Sequence, residues 1–186
     1  PPVGFAADAV LTDNTSGVRM GVEHLIAAGH RRIAYLGDQL SIATARQRYD
    51  GFLRAMTTAA LSTSPRNVAT GLHGRGTAEA AVRALLDQAE PPTALFCAQN
   101  NVTLAALRVL HQLGLHHQVA LVGFDDLGFA DLVDPGVTVI AQDPSQIGRL
   151  AAERIFARLA GDTSPARTEI VPTQLIARGS GEIRPN

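Results

Sequence analysis

The sequence lacks the features that mark several protein classes. Its one cysteine, Cys97, excludes an intrachain disulfide, and its place in the apolar run 93–98 reads as a buried, reduced thiol in a cytoplasmic protein. Neither sign of charge dominates: 16 Lys and Arg stand against 17 Asp and Glu, with no cationic block to track a phosphate backbone, so these residues are not expected to bind DNA unaided. No stretch reaches the roughly 18 to 20 apolar residues of a membrane span. The opening Pro-Pro-Val-Gly-Phe has neither the charged nor the apolar region of a signal peptide, and a chain that starts at Pro1 is expected to be processed or truncated. Motifs for chemistry are also missing. The 6 histidines lack ligand spacing, with His116 and His117 merely adjacent, and no H-E-x-x-H or C-x-x-C occurs. Gly71, Gly74 and Gly76 form a loose cluster but no phosphate loop and no G-x-G-x-x-G. G-x-S-x-G is absent, and Ser180 in Arg-Gly-Ser-Gly has no base nearby in sequence. The expectation is a protein with no metal, no cofactor and no catalytic residue, not an enzyme.

What is present is an ordinary globular composition, 46% hydrophobic, with a repeating beat of short apolar runs and amphipathic stretches. After an extended piece at 9–12, Val18, Val22, Leu25 and Ile26 share one helical face over 16–28, and Gly29 stands at its end. Strands are predicted at 33–36, 68–70, 93–98, 119–124, 137–141 and 170–177, the last weakened by Pro172. Between them lie helices marked by Tyr49, Phe52, Leu53 and Met56, by Ala78, Val82 and Leu85, by Val102, Ala106, Val109 and Leu113, and over 145–160. Strands of about five residues alternating with helices of about a dozen imply right-handed crossovers, hence an α/β fold with a doubly wound parallel sheet covered on both faces. The stretches 62–66 and 161–167 read as surface loops or linkers. Helix 145–160 carries an apolar stripe, Ile147, Leu150, Ile155 and Leu159, interrupted by Arg154, with no obvious partner strands.

Ligands in an open parallel sheet bind beyond the carboxyl ends of the strands, where helix amino termini point. The polar residues there are Asp13 and Asn14, then Ser41, Thr44 and Arg48, then His73, Gln99 and Asn100, and finally Asp125 and Asp126. A guanidinium supplies a rigid fork of donors and a carboxylate supplies only acceptors, so Arg48 with Asp13 and Asp125 suits the vicinal hydroxyls of a sugar or nucleoside. The plainer alternative stays open: Asp13, Asn14, Asn100 and Asp125 are helix-capping types, and Arg48 has Asp50 and Asp87 as surface partners.

Several strings resemble the LacI/GalR family of transcription repressors, in that family's order and spacing. They are 10–17 (V-L-T-D-N-T-S-G), 24–36 (H-L-I-A-A-G-H-R-R-I-A-Y-L), 48–52 (R-Y-D-G-F), 92–97 (P-T-A-L-F-C), 119–126 (V-A-L-V-G-F-D-D), 135–142 (P-G-V-T-V-I-A-Q) and 175–180 (L-I-A-R-G-S). The resemblance implies a type I periplasmic-binding-protein-like fold, two lobes joined by three crossings with an effector between them. Here it implies a nearly complete carboxyl-terminal lobe at 14–142 and 171–186, and parts of the amino-terminal lobe at 1–13 and 143–170. It further implies a homodimer that binds operator DNA through an amino-terminal helix-turn-helix domain not in this chain. A small-molecule effector would control that binding, with no membrane involved.

Carried over by position, the family's effector contacts fall on Asp13, Thr44, Arg48 and Asp125. His73 stands where an aromatic often stacks on the ligand, and Gln99 where Asn is usual. Ile42 occupies a position that is Arg in the purine-responsive members, which favours a sugar-like effector. A secreted sugar-binding receptor of a transporter is the alternative, distinguished by a signal peptide upstream. Substituting Arg48 or Asp125 by Ala is expected to leave the fold intact and to weaken effector affinity.

Overall fold

The computed structural model describes residues 6–185. Its elements in order are β1 (Ala9–Thr12), α1 (Asn14–Ala27), β2 (Ile33–Leu36), α2 (Ala43–Thr58), β3 (Val68–Ala69), α3 (Arg75–Leu86), β4 (Ala94–Cys97), α4 (Asn100–Leu113), β5 (Ala120–Phe124), β6 (Thr138–Ala141), α5 (Pro144–Leu159), β7 (Thr168–Val171) and β8 (Gln174–Ile176). Six strands form one sheet in the order β3-β2-β4-β5-β6-β8, and β1 pairs with β7 in a second, two-stranded sheet. All pairings are parallel except β6 with β8. The α/β, doubly wound architecture expected from the alternation is the one observed.

Strand alternation divides the core into two layers. Ile33, Tyr35, Ala94, Phe96, Val122 and Phe124 meet Val18, Val22 and Leu25 of α1 and Phe52, Ala55 and Met56 of α2. Their neighbours Ala34, Leu36, Leu95, Cys97 and Leu121 meet Val82 and Leu85 of α3 and Val102, Ala106 and Val109 of α4 on the opposite face. Both faces being covered is why these strands read as continuous apolar runs. Burial pushes the Cys97 thiol far above its ordinary pKa, which makes it an inert core residue. Gly114 ends α4 in the left-handed conformation, φ 67°, that favours glycine. Helix α1 lies so close to α2 that a Cβ on Gly51 would stand 2.9 Å from the Thr15 carbonyl oxygen.

The predicted strand at 170–177 is not one strand. β7 ends at Val171 in the small sheet, β8 starts at Gln174 in the large one, and Pro172 with Thr173 makes the step between them. Proline removes a ladder donor, so the apolar run is divided where the sequence only weakens it. The chain also passes between the sheets after β1, at Asp13, and after β6, at Gln142 and Asp143. These passages adjoin one another: Asp13 N–H donates to the Val171 carbonyl at 2.9 Å.

Helix α5 packs on β1, and its buried residue is Arg154, not its apolar stripe. Arg154 reaches Asp8 at 3.4 Å and Asp162 at 3.2 Å, while Arg158 donates to Asp8 at 2.8 Å. Ile155, Phe156 and Leu159 are exposed, and Ile155 and Leu159 line a cavity of about 400 Å³ together with Asp8 and Val10. Among the described residues, no helix is long and apolar enough to cross a membrane.

Candidate functional site

The carboxyl ends of β2, β4, β5 and β6, with the amino ends of α1, α2 and α4, bring a set of polar side chains to one edge of the large sheet. Asp13 caps α1, its Oδ1 accepting from Ser16 N–H at 3.0 Å. The next residue, Asn14, is buried, and its Nδ2 donates to Gln47 Oε1 at 2.9 Å. Its Oδ1 accepts from Arg48 Nε at 2.8 Å.

Arg48 is the centre of the arrangement. It leaves α2 one turn past the helix start, donates from Nη1 to the Ala98 carbonyl at 2.7 Å, and lies over the Phe124 ring with its guanidinium carbon 3.8 Å from the centroid. Its side chain is only 11% exposed, and the Asp125 carboxylate lies 3.8 Å away. Burial pushes the Arg48 pKa down and Asp125 opposes that shift. A guanidinium starts so high that it stays charged, so a preoriented cation sits at the sheet edge. The surface pairings with Asp50 or Asp87 are therefore corrected: Arg48 points inward and pairs with Asn14, Ala98 and Asp125.

Asp125 has φ +76°, a left-handed backbone that few L residues adopt and that Asp and Asn tolerate best. Two anchors hold it there. Its N–H donates to the Ile140 carbonyl at 2.9 Å, and the following Asp126 accepts both arms of Arg178, at 2.7 and 2.8 Å. That fork lowers the Asp126 pKa and raises that of Arg178. Gln142 Nε2 donates to Asp125 Oδ1, and Gln142 Oε1 accepts from the Thr12 hydroxyl. One relay thus runs from Thr12 through Gln142, Asp125, Arg48 and Asn14 to Gln47, touching two of the passages between the sheets.

The remaining expected residues sit farther along the edge. Thr44 and Ile42 are exposed at the start of α2, Ile42 in the capping position. Gln99 Nε2 donates to the Leu72 carbonyl at 2.8 Å, and His73 Nδ1 lies 2.7 Å from Asp38 Oδ1. Of the expected set, Arg48 and Asp125 meet directly, Asp13 is the helix cap its residue type allowed, and Thr44, His73, Gln99 and Ile42 lie on the loops and helix starts that follow β2, β3 and β4. Sequence reasoning missed Gln142, Gln47, Asp38 and Arg178. Position after a strand was a usable signal for Gln142 and Asp38, and the family-like string 175–180 contains Arg178, while nothing local marks Gln47. Among the described residues, no group of three or more His, Cys, Asp or Glu side chains is arranged to hold a metal ion.

Residues 22–181 match the family described as the periplasmic binding protein-like domain. The chain belongs to that family. Curated proteins similar to it are transcriptional regulators and repressors, and a LacI-family regulatory protein of Chloroflexus aggregans shares its fold at 29% identity with a TM-score of 0.89, over 97% of this chain and 65% of that one. The regulator CelR of Thermobifida fusca is 33% identical over 91% of this chain and 50% of its own length. The repressor PurR of Haemophilus influenzae is 32% identical over 92% of this chain and 53% of its own. The solved transcriptional regulator CelR–cellobiose complex superposes with a TM-score of 0.87 at 32% identity, over 96% of this chain and 56% of that one. The chain therefore spans about half the length of the curated relatives it matches.

Proposed function

We propose that this chain is the effector-binding and dimerising region of a LacI/GalR-type transcriptional repressor. In this reading a small molecule, a sugar or related polyol, binds at the edge of the large sheet. It thereby controls operator binding by a helix-turn-helix domain carried elsewhere in a cytoplasmic homodimer. The observation that carries the reading is the buried, preoriented Arg48, held against Asn14 and Asp125 where the chain passes between its two sheets. Residues 14–142 with 171–185 make one lobe in this reading and 6–13 with 143–170 part of the other, residues 1–5 and 186 of the expected lobes lying outside the described residues.

Arg48 donates to ligand hydroxyls, Asp125 and the free oxygen of Asp13 accept, and Thr44 does either. His73, Gln99 and Ile42 border the ligand. A sugar fits better than a purine: Ile42 offers no hydrogen bond to a ring nitrogen, and CelR, a relative of this chain, was solved with cellobiose. A ligand that gathers both lobes around itself shifts their equilibrium by its differential affinity, and about 1 to 3 kcal/mol of coupling suffices for control.

Isothermal titration of the intact protein with a panel of neutral sugars tests this. Binding by the native protein and a loss of about tenfold or more in Asp125→Asn is expected, the weight of a charge-assisted hydrogen bond. Equal affinity in both proteins removes Asp125 from the site.

A further inference from the structure

A second concave region lies at the opposite edge of the large sheet from Arg48, where the strands begin. The pairing of Tyr35 with Val68 sets the amino ends of β2 and β3 side by side, and a cavity of about 860 Å³ opens between them and the residues that follow α3. Its walls carry Arg31, Arg32 and Arg66, the hydroxyls of Ser62 and Ser64, and one carboxylate, Glu90. β2 is 4 residues long, so about 13 Å of strand separates this cavity from the Arg48 edge.

The backbone around the cavity is fixed. His30, just before the arginine pair, is fully buried, with Nδ1 2.9 Å from the Thr93 hydroxyl and Nε2 2.7 Å from the Ile183 carbonyl oxygen. The Arg32 carbonyl accepts from Thr93 N–H at 2.9 Å, and Arg32 Nε donates to the Pro91 carbonyl at 3.1 Å, which orients that guanidinium. On the other wall Ser64 caps the short turn Pro65–Asn67, and Gln88 Nε2 donates to the Arg66 carbonyl at 3.0 Å, tying the turn to the end of α3.

These guanidiniums are not consumed by the fold as those of Arg48, Arg154 and Arg178 are. Among the described residues, none of Arg31, Arg32 and Arg66 forms an ion pair, and the side chains of Arg31 and Arg66 donate no hydrogen bond. Three positive charges against Glu90 leave two, and the carboxyl end of α3 offsets about half a charge more. That surplus is close to the charge of one dianion. A bare inorganic anion would leave most of the 860 Å³ empty, since cavities of about 300 to 1,000 Å³ hold organic ligands. A carboxylate presents two oxygens to the paired N–H groups of a guanidinium fork, so two free forks on separate walls suit two carboxylates at the ends of one molecule.

We infer that this cavity binds a small organic dicarboxylate, with Arg31 and Arg66 each gripping one carboxylate, Arg32 balancing Glu90, and Ser62 and Ser64 serving the groups between. It is a second ligand site, and it stands apart from the sugar site proposed above.

The test is calorimetric titration of the intact protein at constant ionic strength with succinate, glutarate and adipate, with butyrate as the monoanion and inorganic phosphate as the compact anion. Arg31→Gln, Arg66→Gln and, as a control outside the cavity, Arg19→Gln are titrated alongside, with thermal melting to confirm that each is folded. At least one dicarboxylate should bind about tenfold or more tighter than butyrate and phosphate, and Arg31→Gln and Arg66→Gln should each remove about tenfold while Arg19→Gln removes none. Absence of dicarboxylate binding, or dicarboxylates that bind no tighter than butyrate, overturns the inference. Affinity that Arg31→Gln and Arg66→Gln leave unaltered also overturns it, by placing the ligand elsewhere. Phosphate that binds as tightly as the best dicarboxylate does the same, the cavity then taking a single anionic group.

Discussion

Replacing Arg48 by Ala should cost far more stability than replacing Asp125 by Asn. The guanidinium satisfies Asn14 Oδ1 at 2.8 Å and the Ala98 carbonyl at 2.7 Å, and both of those residues are 3% exposed. Orphaning a buried acceptor costs about 1 to 3 kcal/mol, and losing the stack over Phe124 adds about 1 kcal/mol. Allowing for water entering the vacated space, the total is about 3 to 5 kcal/mol, a large share of the roughly 5 to 15 kcal/mol that keeps a domain folded. Asp125→Asn keeps an acceptor for Gln142 and tolerates the same left-handed backbone. It forfeits a 3.8 Å ion pair, and should cost no more than about 1 kcal/mol. Arg48→Lys falls between, because one ammonium cannot reproduce a fork aimed at two acceptors. Urea unfolding of the four proteins at neutral pH gives these differences directly. A loss of less than about 1 kcal/mol in Arg48→Ala, or a loss in Asp125→Asn as large as that in Arg48→Ala, would show that Arg48 does not hold these elements together. The sequence leads one to expect an undisturbed fold when Arg48 or Asp125 is replaced by Ala; the hydrogen bonds of Arg48 to Asn14 and Ala98 instead give it a share in holding α1, α2 and β4 together.

Two further outcomes are open to measurement. The hydrogen bond from Arg158, with help from Arg167 N–H and Arg154, holds the Asp8 carboxyl well below the usual range, and Ser164 with Arg154 lowers Asp162 from 3.8 to about 2. A depressed folded-state pKa gives stability that is complete above the unfolded value of 3.8 and lost as pH falls through the folded one, so the melting temperature should drop between about pH 4 and 2. The drop should flatten in Asp8→Asn with Asp162→Asn, and an unaltered slope would exclude this cluster as its source. Gly51→Ala should destabilise by about 1 to 3 kcal/mol despite the better helix propensity of Ala, since the new Cβ meets the rigid Thr15 backbone. A more stable variant in urea would show that α1 and α2 separate freely.

The fold was largely legible because strands buried on both faces leave unmixed apolar runs, such as Ala94–Cys97, and because helices such as α4 show a clear stripe. The division at Pro172 was not, since Ile170, Val171, Leu175 and Ile176 read as one apolar run whichever sheet each half joins. At the site, strand order brought Arg48 and Asp125 within reach, and the loop positions identified them. Residue type alone left Asp13 divided between capping and ligand binding, and the hydrogen bond to Ser16 shows that it caps. Gln142 ends the family-like string 135–142, but its role in the site depends on Thr12, distant by 130 positions. Arg154 interrupts an apolar stripe, and only the fold supplies the carboxylates that make its burial tolerable.

The three adjacent passages at Asp13, at Gln142 and at Pro172 have a mechanical meaning. A single connection leaves two sheets free to turn against each other, whereas three side by side, as between these two, share any load placed on them. With Thr12 bonded to Gln142 and Asp13 bonded to Val171, the straps are themselves cross-tied, so a pull on one is shared by its neighbours.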